Sequence, residues 1–464
     1  MHLVVVGGSD AGISAALRAR ELDETTEVTV VVADAYPNYS ICGIPYYISG
    51  EVTHWRNLAH RTRQDLEATG MRLRLDTLAT EIDVSGRRLR VRDSSGQSWI
   101  GYDALVVGTG AVPVRPPIDG LDDVGPQDGV HLLHTMGDTF ALEESIERTA
   151  PRRALIVGAG YVGLEMAEGL TARGIHVTQV ERLPEVLPTV DPELGALVHA
   201  ELVRHGVDVH TDTTVTRITK RDAALHVEGR GPDDAPAAWD VDLVLVVVGV
   251  RPDTKLLVAA SATTGPANAV DVSPDMRTSL DAVWAAGDCV ITHHRLLGRS
   301  YLPLGTTAHK QGRVAGENAI GGSARYAGSV GTQVVKVFDL VAARTGLRDH
   351  DASGAGYPAL TTQSTPDDHK RYYPGAEPIS IRITGDADTG RLLGAQLVGG
   401  LTTQTAKRVD TLSTALFHEM TVEAVSELDL SYTPPLGSPW DAVQMATQDW
   451  VGHHRSTFTM GAPA

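Results

Sequence analysis

Cys42 is the residue of this chain whose type and setting best suit redox chemistry. It is one of only two cysteines in 464 residues, which excludes a disulfide framework and is typical of a reducing compartment. Pro45 suits the first turn of a helix that begins just after Cys42, because proline's missing N–H costs little there. A helix N-terminus stabilises a thiolate, so we expect the pKa of Cys42 to lie below the usual value of roughly 8.5. The alternative is a small buried cysteine with no chemical role, which is the interpretation we favour for Cys289.

A glycine-rich loop that could bind a dinucleotide precedes Cys42. The buried strand Leu3–Val6 leads into this loop, and a helical run over 13–22 follows it. The loop residues predicted to contact the ligand are Gly7, Ser9, Ala11 and Gly12. Such a loop lets a pyrophosphate approach the helix N-terminus, although Ser9 replaces the usual middle glycine. The next strand, over 28–32, should end in an acid for the ribose; Asp34 is the nearest candidate, and a turn-forming role is equally plausible.

A second and complete dinucleotide motif begins at the buried strand Ala154–Val157. Its glycines are Gly158, Gly160 and Gly163, and a helix is predicted over 164–173. Glu181 ends the next strand, where an acid binds the ribose 2′-OH of NAD. Because a carboxylate would repel a 2′-phosphate, we predict NADH in preference to NADPH, although Arg182 follows immediately. A further strand over 241–248 ends at Gly249, which is predicted to line the same nucleotide site.

Length and composition exclude several classes of protein. At 464 residues with 42% hydrophobic residues, the chain suggests about three domains of soluble α/β type. A formal net charge of −18 argues against a nucleic-acid partner. The longest apolar run is too short to span a bilayer, and the N-terminus enters a strand without a basic leader. We therefore expect a cytoplasmic protein with no membrane association, and we predict no metal site.

The remaining pattern completes an α/β fold with two Rossmann-like dinucleotide-binding domains and a C-terminal α+β domain. A β-ribbon is expected over 71–99, and the strand over 103–107 leads into a turn that contains Thr109 and Gly110. The buried strand beginning at Val283 ends near Asp288. Three domains are predicted: the first is formed by 1–112 together with 250–325, the second by 113–249 and the third by 326–452. A tail follows at 453–464.

Taken together, these motifs resemble the pyridine nucleotide–disulfide oxidoreductases over essentially the whole chain. The motifs that carry the resemblance are Cys42-Gly43-Ile44-Pro45-Tyr46, Gly108-Thr109-Gly110-Ala111-Val112-Pro113, Ala285-Ala286-Gly287-Asp288, Tyr372-Tyr373-Pro374-Gly375 and Ser431-Tyr432-Thr433-Pro434-Pro435. Within that family the chain is similar to the single-cysteine branch of coenzyme A-disulfide reductases, persulfide reductases, and NADH oxidases and peroxidases. The resemblance implies that the first motif binds FAD and the second NAD(P)H.

The resemblance also implies roles for individual residues. Thr109, Gly110 and Asp288 would line the FAD. The C-terminal domain would be a dimerisation domain that sends Tyr373 and Tyr432 to the partner subunit's active site, with Tyr372 as an alternative to Tyr373. Substrate contacts would come from the residues at positions 18 and 38, which are Arg18 and Asn38.

The resemblance favours an FAD-dependent NAD(P)H oxidoreductase that reduces a low-molecular-weight disulfide or persulfide through Cys42. Its active unit would be a homodimer with shared active sites. The first alternative is an NADH oxidase or peroxidase that reduces oxygen or peroxide through flavin and a cysteine sulfenic acid. Asp10 counts against it, because such members usually carry histidine there. The second alternative is a non-enzymatic flavoprotein that senses NADH.

Overall fold

The computed structural model describes residues 1–222 and 224–460. Its strands are β1 (His2–Val6), β2 (Glu27–Val31), β3 (Arg72–Arg74), β4 (Leu78–Asp83), β5 (Arg88–Asp93), β6 (Gly96–Gly101), β7 (Ala104–Val107), β8 (Ala111–Pro113), β9 (Val130–Leu132), β10 (Arg153–Val157), β11 (His176–Val180), β12 (Asp208–His210), β13 (Thr214–Arg221), β14 (Ala224–Arg230), β15 (Pro236–Val241), β16 (Leu243–Val246), β17 (Val250–Pro252), β18 (Val283–Ala285), β19 (Thr292–His294), β20 (Gly298–Ser300), β21 (Gln333–Val337), β22 (Leu340–Gly346), β23 (Ala359–Ser364), β24 (Ser380–Asp386) and β25 (Leu392–Gly400).

The helices in the described part of the chain are α1 (Asp10–Leu22), α2 (Ile44–Ser49), α3 (Arg63–Ala68), α4 (Met136–Thr149), α5 (Tyr161–Ala172), α6 (Pro192–Arg204), α7 (Lys255–Ala259), α8 (Gly305–Ala319), α9 (Asp349–Gly354), α10 (Thr405–Phe417), α11 (Val422–Ser426) and α12 (Ala442–Met460). Among these described residues, no helix combines the length and the apolar character needed to cross a bilayer.

The first compact unit comprises Met1–Arg115, Leu132–Glu143 and Gly249–Ser329. Its centre is a parallel sheet of strand order β18-β7-β1-β2-β3. The inner strands β7, β1 and β2 are predominantly apolar, with four consecutive buried residues in each, as expected for strands that are buried on both faces. Val5 belongs to the core shared with α1 and α8, whereas Val4 belongs to the core shared with the antiparallel ribbon β4–β5–β6.

Helices α1 and α8 approach closely because α8 presents glycines to α1. A Cβ atom at Gly312 would lie 2.2 Å from the carbonyl oxygen of Ala11, and one at Gly316 would lie 2.2 Å from that of Ala15. No side chain larger than glycine fits at these two positions. This contact fixes the start of α1, which carries the first dinucleotide motif.

The second compact unit comprises Pro116–His131, Glu144–Val248 and the chain from Val330 onward. One sheet has the order β12-β11-β10-β16-β9, and the pairs that join β10, β11, β12 and β16 are parallel. A second, antiparallel sheet has the order β21-β22-β25-β24-β23, and α10 and α12 pack against it. Asp191, which directly precedes α6, links this helix to the antiparallel sheet, because its carboxylate accepts hydrogen bonds from Arg382 (2.8 Å) and Gln396 (2.7 Å).

The secondary structure departs from the sequence prediction in two places. The predicted ribbon over 71–99 is shorter, because Arg72–Arg74 joins the parallel sheet beside β2 instead. The predicted loose tail from 453 begins inside the 19-residue helix Ala442–Met460. Trp450 explains this second difference, because its side chain is 1% exposed and anchors the helix. Residues 461–464 of the predicted tail lie outside the described part of the chain.

The predicted domains map onto these units in different ways. The segments 1–112 and 250–325 fall within the first unit, which also takes in Leu132–Glu143. Most of 113–249 and 330–452 of the predicted domain 326–452 fall within the second unit, where each has its own sheet, whereas 326–329 belong to the first unit. The exact domain boundaries therefore stay a prediction.

Candidate functional site

The first dinucleotide motif forms a tight strand–turn–helix in which two glycines are required. Gly7 has a φ of 114°, and a Cβ atom there would lie 2.1 Å from the carbonyl oxygen of Gly108. A Cβ atom at Gly12 would lie 2.1 Å from the carbonyl oxygen of Gly7. Helix α1 follows at once, with the exposed Ser9 as its N-cap residue and without a side-chain capping bond. The N-terminal N–H groups of α1 are therefore placed to receive an anion such as a pyrophosphate.

Ala11 plays a packing role within this motif. Its side chain is 6% exposed, and its carbonyl faces Gly312 of α8. A ligand on this loop would therefore meet the backbone of Ala11 and not a protruding side chain.

Three further predicted FAD residues lie in the same unit. The Thr109 hydroxyl donates to the carbonyl of Asp253 (2.6 Å), which holds the loop after β7 in place. Gly110 has a φ of 71° and no heavy atom within 4 Å of a Cβ position, so a ligand could approach its backbone. Burial, followed by the nearby charge of Asp10, raises the pKa of Asp288 to about 6. Such a desolvated carboxyl is well suited to bind a hydroxyl group.

Asp34 forms a turn in the structure. It is exposed, and its Oδ1 accepts a hydrogen bond from the backbone N–H of Tyr36 (2.9 Å). This is the turn-forming role that the sequence left open beside a ribose contact. The other carboxylate oxygen remains available to a ribose, so the ribose role stays a prediction.

Cys42 lies on a short 3₁₀ turn, Ile41–Gly43, directly before α2. Its side chain is exposed, and it forms no disulfide. Helix α2 contains Pro45 in its first turn, as predicted from the sequence. Ser40, two residues before Cys42, donates its backbone N–H to the carbonyl of Leu58 (2.8 Å), which fixes this segment. The thiol is therefore presented to solvent on a defined turn.

Cys289 has the buried setting that we expected. Its side chain is fully buried, and its sulfur lies 3.5 Å from the carbonyl oxygen of Ala286 and 3.7 Å from that of Val107. Burial raises the pKa of the Cys289 thiol, which disfavours the reactive thiolate. Cys42 is thus the cysteine that is accessible for thiol chemistry.

The two residues predicted to contact substrate do not present open side chains. The Arg18 guanidinium binds Glu317 (2.6 and 2.9 Å) and Glu21 (3.0 Å). Asn38 is 1% exposed, and its backbone N–H donates to the carbonyl of Gly8 (2.6 Å). Arg18 is ion-paired and Asn38 is buried beside the first motif, so the predicted substrate contacts of both residues stay predictions.

The second dinucleotide motif has the same architecture as the first. Gly158 has a φ of 104°, and a Cβ atom at Gly163 would lie 2.1 Å from the carbonyl oxygen of Gly158. Gly160 is the N-cap residue of α5, and no heavy atom lies within 4 Å of its Cβ position. The loop therefore leaves room for a pyrophosphate at the helix N-terminus. Gly249, in the other unit, has a φ of 109° and an equally open Cβ position.

Glu181 lies directly after β11 and is 8% exposed. One carboxylate oxygen accepts the N–H of Ala159 (2.8 Å) within the second motif, and the other accepts the N–H of Leu183 (2.9 Å). These bonds fix the carboxylate beside the loop. Each oxygen retains a lone pair for a ribose hydroxyl.

The tyrosines predicted for a shared active site are exposed on the second unit. Tyr372 is 73% exposed, Tyr373 42% and Tyr432 44%. A hydrogen bond with Tyr432 raises the pKa of Tyr372. Tyr373 instead packs edge-on against His369, with ring centroids 5.7 Å apart. The structure therefore brings Tyr372, the alternative that the sequence left open, next to Tyr432.

His309 is a candidate functional residue that the sequence did not single out. Its Nε2 lies 3.2 Å from Asp10, and its Nδ1 lies 2.9 Å from the hydroxyl of Ser14. The hydrogen bond to Asp10 raises the pKa of the imidazole. Helix α8 thus supplies a histidine beside Asp10, at the start of α1. Only the packing of α1 on α8 could have revealed it.

One group of potential metal ligands is present among the described residues. Ligand atoms of Glu201, His205 and Asp339 lie within 4.8 Å of one another. The guanidinium of Arg204 already contacts Glu201 (2.7 Å) and Asp339 (2.6 Å). It supplies the positive charge that these carboxylates need, so we assign the group a structural role.

Comparison with known proteins agrees with this geometry. Residues 1–312 match the pyridine nucleotide-disulphide oxidoreductase family, and residues 332–442 match its dimerisation domain. An NADH oxidase of Methanocaldococcus jannaschii is 31% identical over 97% of this chain and 98% of its own length. A CoA-dependent NAD(P)H sulfur oxidoreductase of Pyrococcus abyssi is 32% identical over 95% of this chain and 96% of its own. The structure of an NAD-dependent persulfide reductase from A. fulgidus superimposes with a TM-score of 0.93 at 34% identity, covering 98% of this chain and 84% of that one.

Two dinucleotide motifs, an exposed cysteine on the turn before α2 and these matches along the whole chain converge on one assignment. The chain belongs to the pyridine nucleotide-disulphide oxidoreductases, a family of FAD- and pyridine-nucleotide-dependent enzymes with a C-terminal dimerisation domain.

Proposed function

We propose that this protein uses NADH, in preference to NADPH, to reduce a low-molecular-weight disulfide or persulfide at Cys42. The observation that carries the proposal is the exposed Cys42 on the turn before α2, in a chain whose other cysteine, Cys289, is fully buried. An internal disulfide cycle needs two accessible cysteines, so the oxidised state is either a mixed disulfide between Cys42 and the substrate's own sulfur, as in this proposal, or a sulfenic acid, as in the oxidase alternative. The sulfur- and persulfide-reducing relatives support this substrate class. We place the reaction in the cytoplasm, where thiols are kept reduced.

The chemistry at Cys42 is thiol–disulfide exchange. The Cys42 thiolate attacks one sulfur of the substrate, the substrate S–S bond breaks, and a mixed disulfide forms while the first thiol leaves with a proton. Two electrons, delivered originally as hydride by the nicotinamide, then cleave the mixed disulfide, which regenerates the Cys42 thiolate and releases the second substrate sulfur as a thiol once it takes up a proton. Bound FAD supplies the two-electron relay between nicotinamide and sulfur. Gly7, Ser9 and Gly12 would hold its pyrophosphate, and Asp288 a hydroxyl group.

Tyrosines of the second unit would complete the site from the partner subunit in a homodimer. The exposed Tyr372 and Tyr432 are in mutual hydrogen-bonding contact within the dimerisation domain. A phenol at the partner subunit's Cys42 could protonate the departing thiolate, a general-acid role worth roughly 10²–10⁴ in rate. We include Tyr373 as a packing residue of the same surface, because its ring contacts His369.

Substitution of Cys42 tests the proposal. Cys42→Ser should abolish disulfide-dependent NADH oxidation and leave FAD content unchanged, because serine cannot form a disulfide. Cys289→Ala is the matched control, since it removes the buried sulfur and should keep activity. NADH consumption would be followed at 340 nm with coenzyme A disulfide, other small disulfides and polysulfide as acceptors. Full activity of Cys42→Ser would refute the proposed chemistry.

An NADH oxidase is the second candidate function, and one observation favours it. Asp10 counts against this function in the sequence, but the structure places His309 3.2 Å from Asp10. His309 thus supplies an imidazole next to Asp10, the position at which oxidases and peroxidases of this family usually carry histidine. The relative from Methanocaldococcus jannaschii is named an NADH oxidase. An oxygen electrode with NADH alone distinguishes the two. Fast oxygen uptake that forms water and is insensitive to added disulfides would favour the oxidase.

A further inference from the structure

We infer that Asn38 binds FAD and not the sulfur substrate: its side-chain amide oxygen accepts a hydrogen bond from a hydroxyl group of the bound FAD. This inference revises the substrate contact that the sequence position of Asn38 implied. It concerns the cofactor end of the site and rests on family membership, so it does not depend on which acceptor is reduced.

The first support is the burial of Asn38. The residue is 1% exposed, whereas Cys42, only four residues later, is exposed. A disulfide that reaches Cys42 from solvent would have to displace protein to touch the Asn38 amide. A ligand that binds at the first dinucleotide motif, beside which Asn38 is buried, would not have to displace protein.

The second support is the way the backbone of Asn38 is held against the motif. Its N–H donates to the carbonyl of Gly8 (2.6 Å), and its carbonyl accepts the N–H of His60 (2.9 Å). Gly8 itself is tightly packed, since a Cβ atom there would lie 2.5 Å from Val32. Asn38 is therefore held between the motif loop and the segment that contains His60, with little freedom to turn outward.

The third support is the state of the Asn38 side chain. Its Oδ1 is buried and has no hydrogen-bond partner among the residues that the structure describes. The large majority of buried side-chain polar atoms in folded proteins are hydrogen-bonded, so an unsatisfied amide oxygen points to a ligand. The amide oxygen needs a donor. FAD carries donors in its ribose and ribityl hydroxyls, whereas its phosphates offer only acceptors.

The backbone conformation of Asn38 suggests a competing explanation. Its φ is 61°, in the left-handed region where asparagine is one of the few tolerated residues. Asparagine could therefore be required for its backbone alone. Glycine separates the two roles, because it accepts a positive φ but has no amide.

The experiment compares Asn38→Gly with the matched control Asn268→Gly. Asn268 also has a positive φ (58°), lies in the same unit and is exposed, so glycine makes the same backbone change without touching the motif. FAD release is measured by diluting each purified holoenzyme and following the flavin fluorescence that appears. Loss of one hydrogen bond should raise the FAD dissociation constant of Asn38→Gly about tenfold. Asn268→Gly should leave it unchanged.

A second variant provides rescue. Asn38→Asp keeps an acceptor oxygen and tolerates the left-handed conformation, so its FAD dissociation constant should lie closer to that of the wild type than that of Asn38→Gly does. The inference is overturned if Asn38→Gly retains FAD as tightly as Asn268→Gly. A raised KM for the disulfide would then indicate a substrate contact, and an unchanged KM would indicate a backbone role. FAD retention is measured without any acceptor, so failure of the disulfide-reductase proposal would leave this result intact.

Discussion

Glu181→Gln should shift the nucleotide preference from NADH toward NADPH. Glu181 is 8% exposed, and backbone N–H groups of Ala159 and Leu183 hold its carboxylate beside the second motif. Two like unit charges about 4 Å apart repel by about 4 kcal/mol at an effective dielectric constant of about 20. Partial exposure of a bound nucleotide to water would halve this to about 2 kcal/mol. Glutamine has the same length but no charge, so kcat/KM for NADPH relative to NADH should rise about 30-fold.

The substitution also carries a structural cost that a separate measurement must capture. Glutamine replaces one of the two acceptor oxygens with an NH₂ group that faces a backbone N–H, which should cost about 1–3 kcal/mol of stability. The assay is therefore the ratio of kcat/KM values for the two nucleotides with one acceptor, since a general loss of folded enzyme cancels in that ratio.

Two further variants bracket the result. Glu147→Gln, an exposed acid in the same unit, is the matched control and should leave the ratio unchanged. Arg182→Ala should lower NADPH use further if the exposed Arg182 offsets the repulsion. A rise of less than about threefold in Glu181→Gln would show that repulsion by Glu181 does not set the preference. Equal use of both nucleotides by the wild type would contradict the same reasoning.

Three other outcomes are expected. The pKa of Asp288 is raised from 3.8 to about 6, so ionisation of this carboxyl opposes folding. Asp288→Asn should therefore stabilise the FAD-free protein by up to about 3 kcal/mol above pH 6 and by little below pH 4. Urea unfolding at both pH values measures this difference, and a difference that does not depend on pH would contradict it. The raised pKa of His309 means that the bond of its imidazolium to Asp10 stabilises the protein below about pH 6.5, and that this stabilisation is lost as pH rises through the raised pKa. In His309→Gln, the free energy of unfolding should therefore fall less over that pH range, by about 1 kcal/mol or less because His309 is partly exposed. Mixing inactive Cys42→Ser and Tyr432→Phe homodimers should restore part of the activity, because each heterodimer contains one intact site; no recovery after verified subunit exchange would refute shared sites.

Asn38, His309 and Tyr372 show where reasoning from the sequence reached its limit. The sequence marked Asn38 as a substrate contact, but its burial depends on packing against Gly8 and on the hydrogen bond from His60. His309 meets Ser14 across 295 residues of chain. Tyr372 and Tyr432 also lie far apart in the sequence, with more than one secondary-structure element between them, and neither residue type nor spacing reveals a contact of that kind.

The two strand–turn–helix loops, the position of Cys42 before α2 and the order of the motifs could all be predicted from the sequence. These features are local: Gly7 and Gly158 adopt a positive φ that glycine tolerates by itself, and Pro45 acts within a single helical turn. Tertiary structure alone decided which polar side chains are available to a ligand. It buried Asn38 and paired Arg18 with Glu317, because burial and ion pairing depend on groups that the fold brings together from distant parts of the chain.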